Sequence, residues 1–122
     1  MIKTAKHLLM GARAEQTACR YLHKQGLTEI ARNCRSPYGE IDLVMHDQQT
    51  IVFVEVRYRK SSEYGLAQET VGHGKQQRII RSAQWYLQQH KKLSDRPCRF
   101  DIVAITGSGK ECTFDWICNA FY

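Results

Sequence analysis

The stretch "TIVFVEVRYR", residues 50–59, limits more than any other what this chain can become. Ile51, Val52, Phe53 and Val54 form an unbroken apolar run, too short for a helix core and rich in β-branched and aromatic side chains. Such a run is a strand buried on both faces. Yet Glu55 and Arg57 follow inside the same strand. A buried carboxylate is costly unless a cation or hydrogen-bond donors meet it, so the strand asks for a partner that supplies them.

The preceding stretch, "YGEIDLVMH" over 38–46, predicts a second strand, and the polar "DQQ" between the two predicts a β-hairpin. Residues two apart on a strand share a face. Glu40 and Asp42 therefore point together, as do Glu55 and Arg57. An even-length hairpin loop sets Asp42 opposite Glu55 and Glu40 opposite Arg57; an odd loop without a bulge separates the two acids onto opposite faces.

With the even loop, two carboxylates face one another, and such pairs destabilise a sheet. A divalent cation resolves the conflict. Mg²⁺ takes oxygen ligands, commonly one or two carboxylates with waters and a phosphate oxygen, and a cation so held serves phosphodiester hydrolysis. The competing reading is structural, with Glu40 paired to Arg57 and Asp42 to Arg35 as ordinary surface salt bridges. On the bare pattern the structural reading leads; the apolar setting of Glu55 shifts weight toward function.

The rest of the chain predicts a frame for this hairpin. Leu8, Ala12, Glu15, Cys19 and Leu22 step by fours and threes, so residues 4–25 form a helix whose apolar stripe includes Glu15. Glu15 either reaches solvent at the stripe's edge or adds a third carboxylate to the pair. Gly26 ends that helix, and "EIARNCR" (29–35) is a short strand. A polar stretch over 60–74 carries three glycines and leads to a second helix from about Lys75 to Lys91. Ile79, Ile80, Ala83, Tyr86, Leu87 and His90 are its expected buried face, with Lys75, Arg78 and Ser82 on another. "CRFDIVAIT" (98–106) and "ECTFDWICNAF" (111–121) are two more strands. Residues 1–122 then form one α/β domain, a mixed sheet of about five strands flanked by helices.

Charge points to the partner. Lys and Arg number 18 against 12 Asp and Glu, a net +6. That balance suits a polyanion as well as it suits a plain solvated surface. Arg57, Arg59, Lys60, Lys75, Arg78 and Arg81 cluster around the 60–74 segment and are candidate phosphate contacts. Tyr58, Tyr64 and Trp85 are candidates for stacking on unpaired bases, although aromatics more often pack. The Gly72–Gly74 spacing before a helix is either a phosphate cradle or a plain entry turn. Five cysteines without a C-x-x-C spacing argue against a disulfide framework or a zinc site. No segment approaches the ~18 apolar residues of a membrane span, so a cytoplasmic protein is expected.

The ordered set "GARAEQTACRYLHKQG", "ARNCR", "GEIDLV", "VFVEVRYR", the Lys and Arg of "GKQQRI", and "CRFDIVAI" closely resembles the YraN family of small bacterial proteins, over nearly the whole chain. That family resembles in turn the PD-(D/E)XK nuclease superfamily, above all the archaeal Holliday-junction resolvases. The resemblance implies a restriction endonuclease-like fold and an Mg²⁺- or Mn²⁺-dependent endonuclease acting on DNA, with branched or repair intermediates as candidate substrates and DNA ahead of RNA. It implies Asp42 and Glu55 as the metal-binding acids, with Glu15 as the acid of the first helix. It also places Arg57 where the superfamily has lysine. Arginine is a fixed cation that does not deprotonate, so it suits a phosphate clamp and not a general base. Lys75 of the second helix is a candidate to migrate into that role, though more simply a phosphate contact. The departure keeps open a non-catalytic nucleic-acid-binding protein on a nuclease fold. A homodimer is compatible with either.

Overall fold

The computed structural model describes residues 2–59, 71–107 and 112–122, with side chains from residue 13 onward. Lys60 and Tyr64 lie outside the described residues, as does most of the polar stretch they belong to. The elements run α1 (Ile2–Lys24), β1 (Thr28–Ser36), β2 (Gly39–Asp47), β3 (Thr50–Arg59), α2 (His73–Gln89), a 3-10 turn (Lys91–Leu93), β4 (Cys98–Thr106) and β5 (Thr113–Phe121). The mixed five-stranded sheet and its two helices match the expected α/β class.

Strand order is β1-β2-β3-β4-β5, antiparallel except for the β3–β4 pair. Parallel neighbours need a crossover, and α2 lies within it. The apolar run of β3 is central because both faces are covered. Val52 and Val54 pack with Leu43, Met45, Val103 and Ile105 beneath Ala18, Cys19 and Leu22 of α1. Ile51 and Phe53 pack with Val44, Ile102 and Ala104 beneath Ile79, Ala83 and Tyr86 of α2. The period of two therefore hands alternate residues of one strand to two different helices.

Two assignments on α2 change. Ser82 is fully buried, because Ser36 of β1 supplies a hydroxyl partner at 2.8 Å. His90 is exposed at the helix end, where its ring stacks on Tyr86 with centroids 4.0 Å apart. Ser82, expected off the buried face, is buried by its partner, and His90, expected on that face, is exposed at the helix end.

The β3–β4 pairing runs unbroken from Ile51–Cys98 to Arg59–Thr106. The β2–β3 pairing starts at Asp47–Thr50 across a two-residue loop and stops at Leu43–Val54. Beyond that point β2 and β3 part. The neighbouring step is irregular too. Ile41 and Val44 both join the α2-side cluster although they are three apart, and Asn33 on β1 has φ +54°. The sheet thus forks next to Asp42.

Candidate active site

The loop Gln48–Gln49 is even, so the register is the one that sets Asp42 and Glu55 one step beyond the last paired residues, on facing strands. The fork leaves the Val56 N–H without a β2 carbonyl. The Asp42 carboxylate takes that bond, Val56 N donating to Oδ2 at 2.8 Å. A backbone donor thus orients the acid, and β4 holds its donor strand along its whole length.

Side chains from both helices reach this point. Glu15 of α1 and Glu40 and Asp42 of β2 bring carboxylate oxygens within 4.8 Å of one another. Glu55, 4% exposed, takes the Lys75 ammonium of α2 at 2.6 Å and the Arg57 guanidinium at 3.8 Å. Neither the Glu40–Arg57 nor the Asp42–Arg35 ion pair is present among the described residues. Glu40 joins the acids instead. The sequence pattern had set Glu40 against Arg57; that pairing fails because the strands diverge before the two can face each other.

The electrostatics show strain between like charges. Burial, then the Glu55 carboxylate, push the Asp42 carboxyl up to about 8, against the Val56 hydrogen bond that lowers it. Burial raises Glu15 as well, opposed by a hydrogen-bonding contact with Asn33. A carboxyl whose folded value lies above its unfolded value near 3.8 binds its proton more tightly in the folded state. Its contribution is fully present below that unfolded value and is lost as pH rises through about 8. Without divalent cation, melting temperature is therefore expected to fall between these pH values. Asp42→Asn, which keeps an acceptor for Val56 but no charge, is expected to flatten that fall. Calorimetric melts of both proteins across this range check the difference; equal slopes would refute the assignment.

The candidate phosphate contacts separate into two sets. Arg78 and Arg81 lie exposed on α2. Arg59 is turned toward the β4–β5 side, with Nε on the Thr106 hydroxyl at 3.0 Å and a 3.5 Å contact to Asp115. Tyr58 is exposed. Trp85 is half-buried beside Tyr38 and Arg81 in an open groove.

Asp101, on β4 beside Val54, is not part of this constellation. It is 0% exposed and receives bonds from Arg99 Nε at 3.1 and 3.2 Å, Trp116 Nε1 at 3.0 Å and Asn119 N at 3.0 Å. Those bonds tie β5 to β4.

A family model described as "Uncharacterised protein family UPF0102" matches residues 14–105. The chain belongs to the UPF0102 family. The matched span contains all the candidate acids and both candidate cations, Arg57 and Lys75. A UPF0102 protein of Saccharophagus degradans is 49% identical over 117 residues, 96% of each chain. One of Coxiella burnetii is 50% identical over 111 residues, covering 91% of this chain and 90% of its own. One of Nitrosococcus oceani is 42% identical over 120 residues, covering 98% and 97%. The UPF0102 relatives are thus alike in length as well as in sequence. Among the described residues no helix is long and apolar enough to cross a membrane.

Proposed function

We propose that this protein is a metal-dependent endonuclease-like hydrolase of DNA phosphodiesters, built on a restriction endonuclease-like arrangement. The observation that carries the reading is the fork. Asp42, held by the Val56 N–H, stands beside Glu55, and Glu55 is gripped by a lysine from the crossover helix. Carboxylates gathered at one point, with Lys75 and Arg57 paired to Glu55 among the described residues, suit a hard cation with oxygen ligands. The donors would suit Mg²⁺ or Mn²⁺: Glu15, Glu40 and Asp42 have oxygens within 4.8 Å of one another, and Glu55, which interacts with Asp42, is the further candidate ligand.

A bound divalent cation would make a water more acidic and offset charge on the phosphate. The chain's own residues do the rest. Hydrolysis forms a bond from a water oxygen to phosphorus and breaks the bond to the leaving oxygen. The water loses a proton and the leaving oxygen gains one. Lys75, held on Glu55 at 2.6 Å, is the ammonium beside the acids that would orient the attacking water or a phosphate oxygen. Arg57 keeps its charge and offers a planar fork to phosphate oxygens. Arg78, exposed on the same helix, adds a phosphate contact.

These roles separate by experiment. Lys75→Ala is expected to lower the single-turnover cleavage rate about 10²–10³-fold with little change in DNA affinity. Arg57→Ala is expected to act mainly on affinity and to make binding less steeply dependent on salt. Single-turnover rates and salt titrations of both variants check this; a Lys75→Ala protein that cuts at the wild-type rate would remove lysine from the chemistry.

A second reading is a non-catalytic binding protein, and Arg57 at the motif's lysine position favours it. A panel of duplex, flap, single-stranded and four-way-junction DNA, with the matching RNAs, incubated with Mg²⁺ or Mn²⁺, decides between the two. Cleavage that needs the cation supports the hydrolase. Salt-sensitive binding without any cut product, indifferent to metal, supports the binding protein.

A further inference from the structure

One groove lies apart from the carboxylates. It measures about 300 Å³ and is lined by Tyr38, Arg81, Gln84, Trp85 and Gln88. Tyr38 belongs to the turn between β1 and β2 and is 45% exposed; the other four line one side of α2. Two π faces, a guanidinium and two carboxamides make an unusual lining for a surface left to water. Aromatic and arginine faces stack on bases whatever their identity. Glutamine amides carry both donors and acceptors for base edges.

Both walls lie on elements that also carry residues of the acid site. Tyr38 precedes Glu40 by two residues, ~7 Å of strand. Lys75, on Glu55, and Ser82, beside the turn, are seven residues apart on α2, ~10 Å of helix. The turn is pinned to the helix by the Ser36–Ser82 hydroxyl pair, with Ser36 also bonded to Gly39 O and to Tyr38 N. Arg78, Arg81, Trp85 and Gln88 follow one another along the helix at spacings of three, four and three, so they form a single row. The helix has no acidic residue anywhere in His73–Gln89. A polyanionic strand leaving the carboxylates along this helix meets cations first and the aromatic pair next. That order of charge and stacking surface is what selects a nucleic-acid strand as occupant.

We propose that the Tyr38–Trp85 groove receives unpaired bases of a DNA strand running along α2, so that the substrates of the site carry a single-stranded arm. The proposal rests on the hydrolase reading for the position of the cut, but not for the binding. It is tested on the full chain in EDTA, where no cleavage occurs, with a short labelled single strand and a blunt duplex of equal length. Trp85→Ala and Tyr38→Ala are each expected to weaken single-strand binding roughly tenfold and leave duplex binding unchanged. Trp85→Phe is expected to retain it. A single strand of abasic residues is expected to bind the wild type as weakly as the ordinary strand binds Trp85→Ala. The turn variant remains informative if the helix variant fails to fold, because Tyr38 is on the surface. Both variants binding the single strand like the wild type would overturn the proposal, as would equal losses for strand and duplex. Absence of cleavage in Mg²⁺, with the selective binding intact, would remove the hydrolase and leave the groove. Normal cleavage, with both variants binding and cutting single-stranded arms unchanged, would remove the groove and leave the hydrolase.

Discussion

Asp42→Ala is expected to abolish metal-dependent cleavage, with a loss of at least about three orders of magnitude in single-turnover rate. Stabilisation of transition-state charge by a bound cation is worth several kcal/mol, and each 1.36 kcal/mol is about a factor of ten in rate. Asp42 stands at the centre of the acids: it meets Glu15 and Glu40 on one side and Glu55 on the other. Asp42→Asn is expected to lose the same activity, since a neutral amide is a poor ligand for a hard cation. Titration with Mg²⁺ or Mn²⁺ while melting the protein gives a second readout. The wild type is expected to gain melting temperature as the cation occupies its site, and Asp42→Asn to gain much less. Cleavage that survives either substitution would sink the hydrolase reading.

The second large effect concerns stability. Asp101→Ala is expected to destabilise the protein by roughly 3–5 kcal/mol, the usual cost of removing one partner from a buried charged pair. Arg99 would keep Asp47, at 3.2 Å, while Trp116 Nε1 and the Asn119 N–H would lose their acceptor. Against a total stability of about 5–15 kcal/mol, that leaves a marginal fold. The control is Asp115→Ala, whose carboxylate is half exposed and only 3.5 Å from Arg59; a change under about 1 kcal/mol is expected there. Urea midpoints of the three proteins provide the test. If Asp101→Ala melts with Asp115→Ala, the network does not hold β5 in place.

The hairpin was legible because its information is local. The alternation in "GEIDLV" and "VFVEV" shows which residues share a face, and of the even and odd loops that the sequence leaves open the structure has the even one. The helix of residues 2–24 and its Glu15 were legible for the same reason. The fork was not. It lies beside Asn33, at φ +54° on the neighbouring strand, where β4 keeps β3 as β2 leaves it. Glu40 was misassigned as a consequence. Lys75 illustrates a different limit. Its place on Glu55 is decided by how the crossover helix lies on the sheet, and no spacing within the chain encodes that angle. Ser82 shows the limit in reverse: its polar character reads as surface until Ser36 is seen opposite it.

The hydrogen bond from Val56 to Asp42 makes one residue answer to two demands. The parting strands leave a backbone donor that must be met, and an unmet one costs about 1–3 kcal/mol. Asp42 meets it with the same carboxylate that the proposed chemistry needs. Drift at this position is therefore doubly constrained: a side chain without an acceptor damages the scaffold whether or not the proposed chemistry takes place. A descendant that kept the fold without that chemistry would have an easy exit at Lys75, whose partner is the Glu55 side chain, and a narrow one at Asp42, where asparagine preserves the joint and alanine loosens it.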